Sequence, residues 1–479
     1  MTGSLWLSKA QKFFWAFFLI SLPVTSFPFF PSGLGGSTLV RPLALYPLLV
    51  LLLIAVLPRL WKHSAPRTLL PFLAFLTAAL VGTVFSVLRD IDPVLGVTML
   101  DRVIRNLISL FLGGAFYFAV VLIPQTWDDL RFSLRWLYAG FAVALFWGSL
   151  QAIYVIKFHP AYFDLLKQFQ RFVSIRKLFP TRISGLTYEP NWFAEQIAFL
   201  LMPWLFSAVF SRFSAFRWRK GWLTVELFLL IWASGVLVFT YSRSGLILLA
   251  AQLCLIFLIR PSQSMNPQSQ PGSNFRTVGR RLLQAGTALV VLVSIVFVIG
   301  SQNNYFSRLW NYWSDEESAG TYLQYIAFDQ RFTYWGTAFR IYTDYPLLGV
   351  GLGNFTFYFD EYLSDRPLHP TPELLALLTP EAGRSQLVTV KSFFPRLLAE
   401  TGLLGTASFL AFIIAVFGGV VFLLLTPGDE AQFWGRAGVL GIVVFGLVSF
   451  SFDSFSLPNM WVVLGLITAA TAVCSQRNL

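Results

Sequence analysis

The sequence predicts an all-α polytopic membrane protein of about twelve transmembrane helices, with one large and one medium loop on its outer side. Three observations predict it. The 479 residues are 56% hydrophobic and only 12% charged, whereas a soluble domain carries roughly a quarter charged residues. Apolar runs recur at about 20 residues, the length that crosses a hydrocarbon core about 30 Å thick. Lys and Arg gather in alternate short loops, as the positive-inside rule requires. The 50 Phe residues suit lipid-facing helices better than a surface in water.

The runs start near Phe13, Leu43, Thr68, Val103, Trp136, Trp192, Gly221, Gly245, Leu282, Leu397, Phe433 and Leu457. With the N-terminus inside, the inner loops hold Arg59, Lys62 and Arg67, then Arg131 and Arg135, then Arg212, Arg217, Arg219 and Lys220, then Arg260, Arg276, Arg280 and Arg281. The first outer connection holds only Arg41. The expected organisation is helices 1–5 over residues 1–156, a basic amphipathic outer loop over 157–191 and helices 6–9 over 192–300 with a cytoplasmic linker at 261–281. A large outer loop over 301–394 and helices 10–12 over 395–479 follow. Lys9 and Lys12 precede a run that reads as a retained first helix rather than a cleaved leader.

Cys254 and Cys474 both lie in apolar runs near the inner face, which argues against disulfides and thiolate metal sites. The histidines are scattered and no acidic cluster has ligand spacing, so no metal and no cofactor is expected. The net charge of +12 suits membrane lipids as partners. Nucleic acid is not expected as a partner, because the basic residues are divided among loops.

Candidate chemistry collects at the outer ends of the runs. Thr240-Tyr241-Ser242-Arg243-Ser244-Gly245 lies between two of them. An arginine there can snorkel to the interface, or the polar turn can aim its guanidinium and nearby N–H groups at a phosphate or pyrophosphate. The stretch Asp329 to Arg340 has Arg331, Trp335, Ala338 and Phe339 at helical spacing, with Asp329 as N-cap and Pro346 as terminator. It reads as an amphipathic helix on the outer surface. Gly349, Gly351 and Gly353 follow neither a strand nor precede a P-loop lysine, so they read as a tight turn for close backbone packing. The loop cations Lys157, Lys167, Arg171, Arg176, Lys177 and Arg182 alternate with Phe163, Phe169, Phe172 and Phe179. They form either a plain interfacial helix or a holder of headgroup phosphate.

Taken in order, three motifs resemble the O-antigen ligase/polymerase family. They are the Ser242-Arg243-Ser244-Gly245 turn, then Arg331 to Trp335 with Asp344-Tyr345-Pro346-Leu347-Leu348-Gly349-Val350-Gly351-Leu352-Gly353-Asn354-Phe355, then Leu398-Ala399-Glu400-Thr401-Gly402-Leu403-Leu404-Gly405. The resemblance spans about residues 180–410. It implies about a dozen spans, a large periplasmic loop and an inner-membrane location. It also implies transfer of a glycan from an undecaprenyl-pyrophosphate donor to an acceptor glycan or a lipid A-core, without nucleotide sugar or metal. Arg243 and Arg331 correspond to the family's pyrophosphate-binding arginines, and a chain-length regulator is a further implied partner.

One departure concerns the base. Where the family often has His-Asn before its Leu-Ala-Glu motif, this chain has Lys391 and Ser392. A lysine of ordinary pKa about 10.4 is a poor base, though it can stabilise a departing pyrophosphate as a cation. His369 is the one histidine of the large loop, and histidine suits proton transfer near neutral pH. Glu189, in Gly185-Leu186-Thr187-Tyr188-Glu189-Pro190-Asn191-Trp192-Phe193-Ala194, is the third candidate. It either favours a helix start through the dipole or accepts the proton of an attacking sugar hydroxyl. This segment resembles a stretch of the polymerase branch, as does the Arg340-x10-Gly351 spacing, and polymerase is the expected activity. Ligase remains the alternative. A transporter or inorganic-carbon-accumulation factor is the alternative of another class, and would be expected to carry ionisable residues in mid-span.

Overall fold

The computed structural model describes residues 2–30, 40–60, 66, 68–89, 91–211, 213–216, 218–220, 223–259, 273–303, 306–307, 311–312, 322, 330–363 and 387–477. Asp329, His369 and residues 261–272 of the expected linker lie outside these.

The architecture is an all-α membrane bundle. Eight helices are long and apolar enough to cross a membrane: α3 (Leu69–Val87), α4 (Met99–Leu122), α5 (Trp127–Ile156), α7 (Pro190–Val209), the Val278–Gly300 part of α10 (Ser273–Gly300), α13 (Phe393–Leu425), α14 (Asp429–Val448) and α15 (Pro458–Arg477). Three shorter apolar helices, α2 (Leu45–Leu60), α8 (Val225–Phe239) and α9 (Arg243–Leu258), together with α1 (Thr2–Ser21), bring the bundle to twelve among the described residues. Among the described residues three further helices stand outside that set: α6 (Pro160–Val173), α11 (Gln330–Asp344) and α12 (Phe355–Tyr362). A two-residue hairpin, Arg219–Lys220 against Leu223–Thr224, precedes α8.

Several helices start earlier than hydropathy indicates because polar residues cap them. Thr98 accepts from the N–H of Asp101 at 3.2 Å and Asp101 bonds back, so α4 begins at Met99. Thr126 and Asp129 repeat this reciprocal box, and α5 begins well before Trp136. These charged first turns stand at the ends of the spans, where a hydropathy window finds no signal.

α7 and α15 are central, with 89% and 83% of their spans buried, whereas α10 packs at the rim with 6% buried. Between helices in lipid there is little hydrophobic drive, so shape complementarity must hold them together. Aromatic rings supply much of it. The Phe393 ring lies 5.1 to 6.0 Å from those of Phe409, Phe445, Phe452 and Phe455.

α13 is broken in its first third by Gly402, whose φ of +60° is a left-handed conformation. A straight helix would bond the N–H groups of Leu403 and Leu404 to the carbonyls of Ala399 and Glu400. Instead they donate to Pro346 (2.7 Å) and Leu347 (3.1 Å), while the Ala399 and Glu400 carbonyls accept from Val350 (3.0 Å) and Gly351 (2.9 Å). The kink thus exchanges two helical bonds for four bonds to the 346–351 turn, leaving those buried backbone groups satisfied. Gly349 is required at this contact: a Cβ there would lie 2.5 Å from the Glu400 carbonyl carbon, and its φ is +68°. The expected tight turn is therefore the dock that fixes α11 and α12 to α13.

Candidate functional site

At one end of the bundle, five segments converge: the start of α7, the turn into α9, the start of α11, the loop before α13 and the loop after α14. The first is reached by a chain segment that dips into the protein. Residues 182–187 are buried, and Gln151 of α5 holds them by accepting from the N–H groups of Ser184 (2.9 Å) and Gly185 (3.0 Å) and donating to the Gly185 carbonyl (3.1 Å). This brings Glu189 to the N-cap position of α7, followed by Pro190 at N1. Its carboxylate makes no capping bond but pairs with Arg176 at 3.0 Å. The Arg176 guanidinium in turn stands 4.7 Å from the ring centroids of both Phe179 and Tyr188.

The turn into α9 is made by Tyr241 at φ +49° and by Ser242, which N-caps the helix by accepting from Gly245 at 3.3 Å. Gly245 meets α7 so closely that a Cβ would fall 2.5 Å from that of Ala194. Arg243 is the first helical residue and is half-buried. Arg182 fastens this turn to the start of α7, donating from Nε to the Thr240 carbonyl (2.9 Å) and from Nη2 to Asn191 Oδ1 (2.7 Å).

On α11, Arg331 donates from Nη1 to the carbonyls of Lys391 (2.8 Å) and Phe450 (2.6 Å). One turn on, Trp335 donates to Ser392 Oγ at 2.6 Å, and Ser392 donates to the same Phe450 carbonyl at 2.8 Å. Lys391 has φ +54°, a conformation that costs a non-glycine residue about 1–2 kcal/mol. Its N–H donates to Asp453 Oδ2 at 2.9 Å. Burial first, and then Arg331, lower the Lys391 ammonium to about 8, with Asp453 and Glu189 opposing. Burial lowers Arg331 as well, offset by Glu195 and Asp453. Burial pushes the Tyr334 phenol up to about 12, and the Lys391 ammonium lies 5.3 Å from its ring.

The structure brings Glu189, Lys391, Arg331 and the Arg243 turn to one region. Arg340 does not join them: it lies nine residues further along α11, roughly 13 Å at helical rise, exposed and donating to the Tyr362 carbonyl at 3.0 Å. Arg182 is buried and spans two elements of the scaffold. Other charged and polar groups in this region were absent from the candidates. Asp453 anchors Lys391. Glu195, one turn into α7, accepts from Ser451 (2.9 Å) and Ser244 (3.2 Å). Arg396 pairs with Glu400 at 2.9 Å, donates to Asn106 Oδ1 at 2.9 Å and bonds the Asp453 carbonyl. The i,i+4 spacing of Arg396 and Glu400 signals their pairing in the sequence. The contacts of Asp453 cross more than fifty residues and leave no such signal.

Chemically, the region offers two guanidinium groups and an ammonium to an anion, beside carboxylates able to take a proton. Among the described residues no group of three His, Cys, Asp or Glu side chains could hold a metal ion.

No curated protein matches the chain. Residues 228–373 match the family model described as O-antigen ligase. The matched stretch contains the Arg243 turn, Arg331 and the glycine turn that docks on α13. Over that stretch the chain is similar to the O-antigen ligase family, a likeness that supports a glycan-transferring membrane enzyme.

Proposed function

We propose that the protein is a lipid-pyrophosphate-dependent glycosyltransferase of the cell inner membrane that polymerises undecaprenyl-pyrophosphate-linked repeat units at the periplasmic face. The observation that carries this reading is the convergence of Arg331, Lys391 and the Arg243 turn beside Glu189 at one end of the bundle. Both chain ends lie in the cytoplasm and the 157–191 and 301–394 segments face outward, as the Lys and Arg of the other short loops support, while the six cations from Lys157 to Arg182 stand outside against the positive-inside rule. The surrounding lipids are partners of the exposed Leu165, Phe169 and Phe172 face of α6.

The donor's lipid tail lies among the spans, and Arg243 and Arg331 hold its pyrophosphate. Glu189 accepts the proton of the acceptor hydroxyl, with His369 as the alternative base. The hydroxyl oxygen bonds the anomeric carbon as the bond from that carbon to pyrophosphate oxygen breaks. Arg243, Arg331 and the Lys391 ammonium stabilise the charge that grows on the leaving group, the largest expected contribution.

A ligase acting on a lipid A-core is the second reading, favoured by the description of the matching family model. The Tyr188-Glu189-Pro190 element favours polymerase. A transporter is disfavoured because Glu195, Arg396 and Glu400 join the network at one end of the bundle rather than lining a path across it. The test is the glycan-length profile of a deletion strain. Loss of long chains with a single repeat still attached supports polymerase, and loss of all attached glycan supports ligase. An unchanged profile removes both.

A further inference from the structure

We propose that Glu195 is a positioning residue that couples Arg243 and Arg331 into one pyrophosphate-binding pair, an inference that rests on the pyrophosphate reading above. Glu195 lies one turn inside α7 and is 8% exposed. A carboxylate so placed in an apolar bundle is costly unless its oxygens are occupied. Oε1 accepts two hydroxyl donors from distant parts of the chain, Ser244 at 3.2 Å and Ser451 at 2.9 Å.

Each donor adjoins one of the arginine supports. Ser244 directly follows Arg243 in the first turn of α9. Ser451 directly follows Phe450, whose carbonyl accepts from Arg331 and from Ser392. The Arg331 guanidinium also lies within electrostatic reach of the Glu195 carboxylate. The close contact of Gly245 with Ala194 seats the α9 turn against the same stretch of α7. Glu195 is thus a strut between the turn that carries Arg243 and the turn at Phe450 that orients Arg331. Two guanidinium groups held at a fixed separation suit a ligand with two phosphates, whereas a monophosphate needs only one of them. Glu195 sets that separation without touching the ligand.

The test uses the full-length protein in lipid nanodiscs, with undecaprenyl pyrophosphate and undecaprenyl monophosphate as probes. Glu195→Gln is expected to weaken pyrophosphate binding on the order of tenfold, a typical coupling between contacting residues, and to leave monophosphate binding nearly unchanged. Ser244→Ala and Ser451→Ala, which each remove one strut, are expected to show the same selective loss at smaller size. Arg243→Lys and Arg331→Lys should combine non-additively in the wild type and additively in Glu195→Gln. Wild-type pyrophosphate affinity in folded Glu195→Gln, or equal weakening of both probes, overturns the proposal. Should Glu195→Gln fail to fold, unchanged affinity in both serine variants overturns it instead. A wild-type protein that binds neither probe removes the pyrophosphate reading itself, and this inference with it.

Discussion

Arg331 donates from Nη1 to the main-chain carbonyl of Lys391 at 2.8 Å, which holds a guanidinium within reach of an ammonium despite their like charge. Burial first, and this guanidinium second, lower the Lys391 ammonium to about 8 from its ordinary 10.5. Activity that depends on the Lys391 ammonium is therefore expected to fall as pH rises through about 8. Stability should move the other way. Between about 8 and 10.5 the unfolded chain holds the proton that the folded chain has released, so folding becomes more favourable as pH rises across that window. Rate and thermal unfolding measured over the same pH series check both signs. Lys391→Arg should keep its activity above pH 8, and a decline that persists in that variant assigns the titration to another group.

The dock between the glycine turn and the α13 kink predicts a loss of stability with no change in charge. Gly349→Ala meets both a left-handed backbone and a Cβ placed 2.6 Å from the Ala399 carbonyl oxygen. A cost of about 2 kcal/mol or more is expected from the backbone strain and the contact together. Gly336→Ala, in α11 with nothing within 4 Å of the added methyl, should be neutral or stabilising by up to about 1 kcal/mol. Thermal unfolding of the two variants in detergent separates them, and equal melting temperatures would discard the account of the dock.

These two glycine motifs show how far the sequence could be read. The helical bundle was legible because a spanning helix must be apolar along its whole length, and that leaves a mark in any window of the sequence. The tight turn at Gly349, Gly351 and Gly353 was legible for the same local reason, since three glycines in five residues report a backbone that side chains would obstruct. Its partner was not. Nothing near Gly402 says that Leu403 and Leu404 will donate to Pro346 and Leu347 more than fifty residues away. The candidate site divides along the same line. Arg243, Arg331 and Glu189 stand in local sequence patterns that mark them as candidates, whereas the hydrogen bonds of Asp453 and Glu195 reach partners distant in the chain. Arg340 shows the converse. Its spacing to Gly351 is a pattern, but helical rise carries its side chain away from the site.

The two arginines should not tolerate lysine. Arg331→Lys keeps a positive charge but loses the planar guanidinium whose Nη1 donates to both the Lys391 and Phe450 carbonyls. Arg243→Lys loses two-oxygen recognition of phosphate at the head of α9. Each is expected to lower kcat/KM on the order of tenfold to a hundredfold, the range for hydrogen bonds to charged groups. Measurement with purified lipid-linked donor decides, and full activity of both variants would leave Arg243 and Arg331 as interfacial anchors.

The orientation has its own measurement. Glu361→Cys, at an exposed position near the end of the otherwise largely buried α12, should react with a membrane-impermeant maleimide in intact cells. Asp128→Cys, exposed at the opposite end beside Trp127, should react only after permeabilisation. Native Cys254 and Cys474 sit within apolar helices, one half-buried and one buried, so their background should be low. The reverse pattern would place the arginine cluster on the cytoplasmic side and remove a periplasmic reaction.

The identity of the base turns on Glu189. Its ion pair with Arg176 is about one-third exposed on each side, and such pairs contribute at most about 1 kcal/mol. Because the carboxylate makes no capping bond, Glu189→Gln should barely change the stability of α7. If Glu189 takes the proton of the acceptor hydroxyl, the same change lowers kcat by about 10² to 10⁴, the usual range for removal of a general base. A structural role predicts the opposite ratio, a small loss of rate that tracks a small loss of stability. His369→Ala and Lys391→Ala, assayed alongside, complete the comparison. Collapse in His369→Ala alone moves the base into the large loop. Collapse in Lys391→Ala alone leaves leaving-group charge as the dominant contribution, and its activity should then depend on pH as the first prediction requires. Where all three keep near-normal turnover, the transfer proceeds without any of these bases, and charge stabilisation by Arg243 and Arg331 carries the rate.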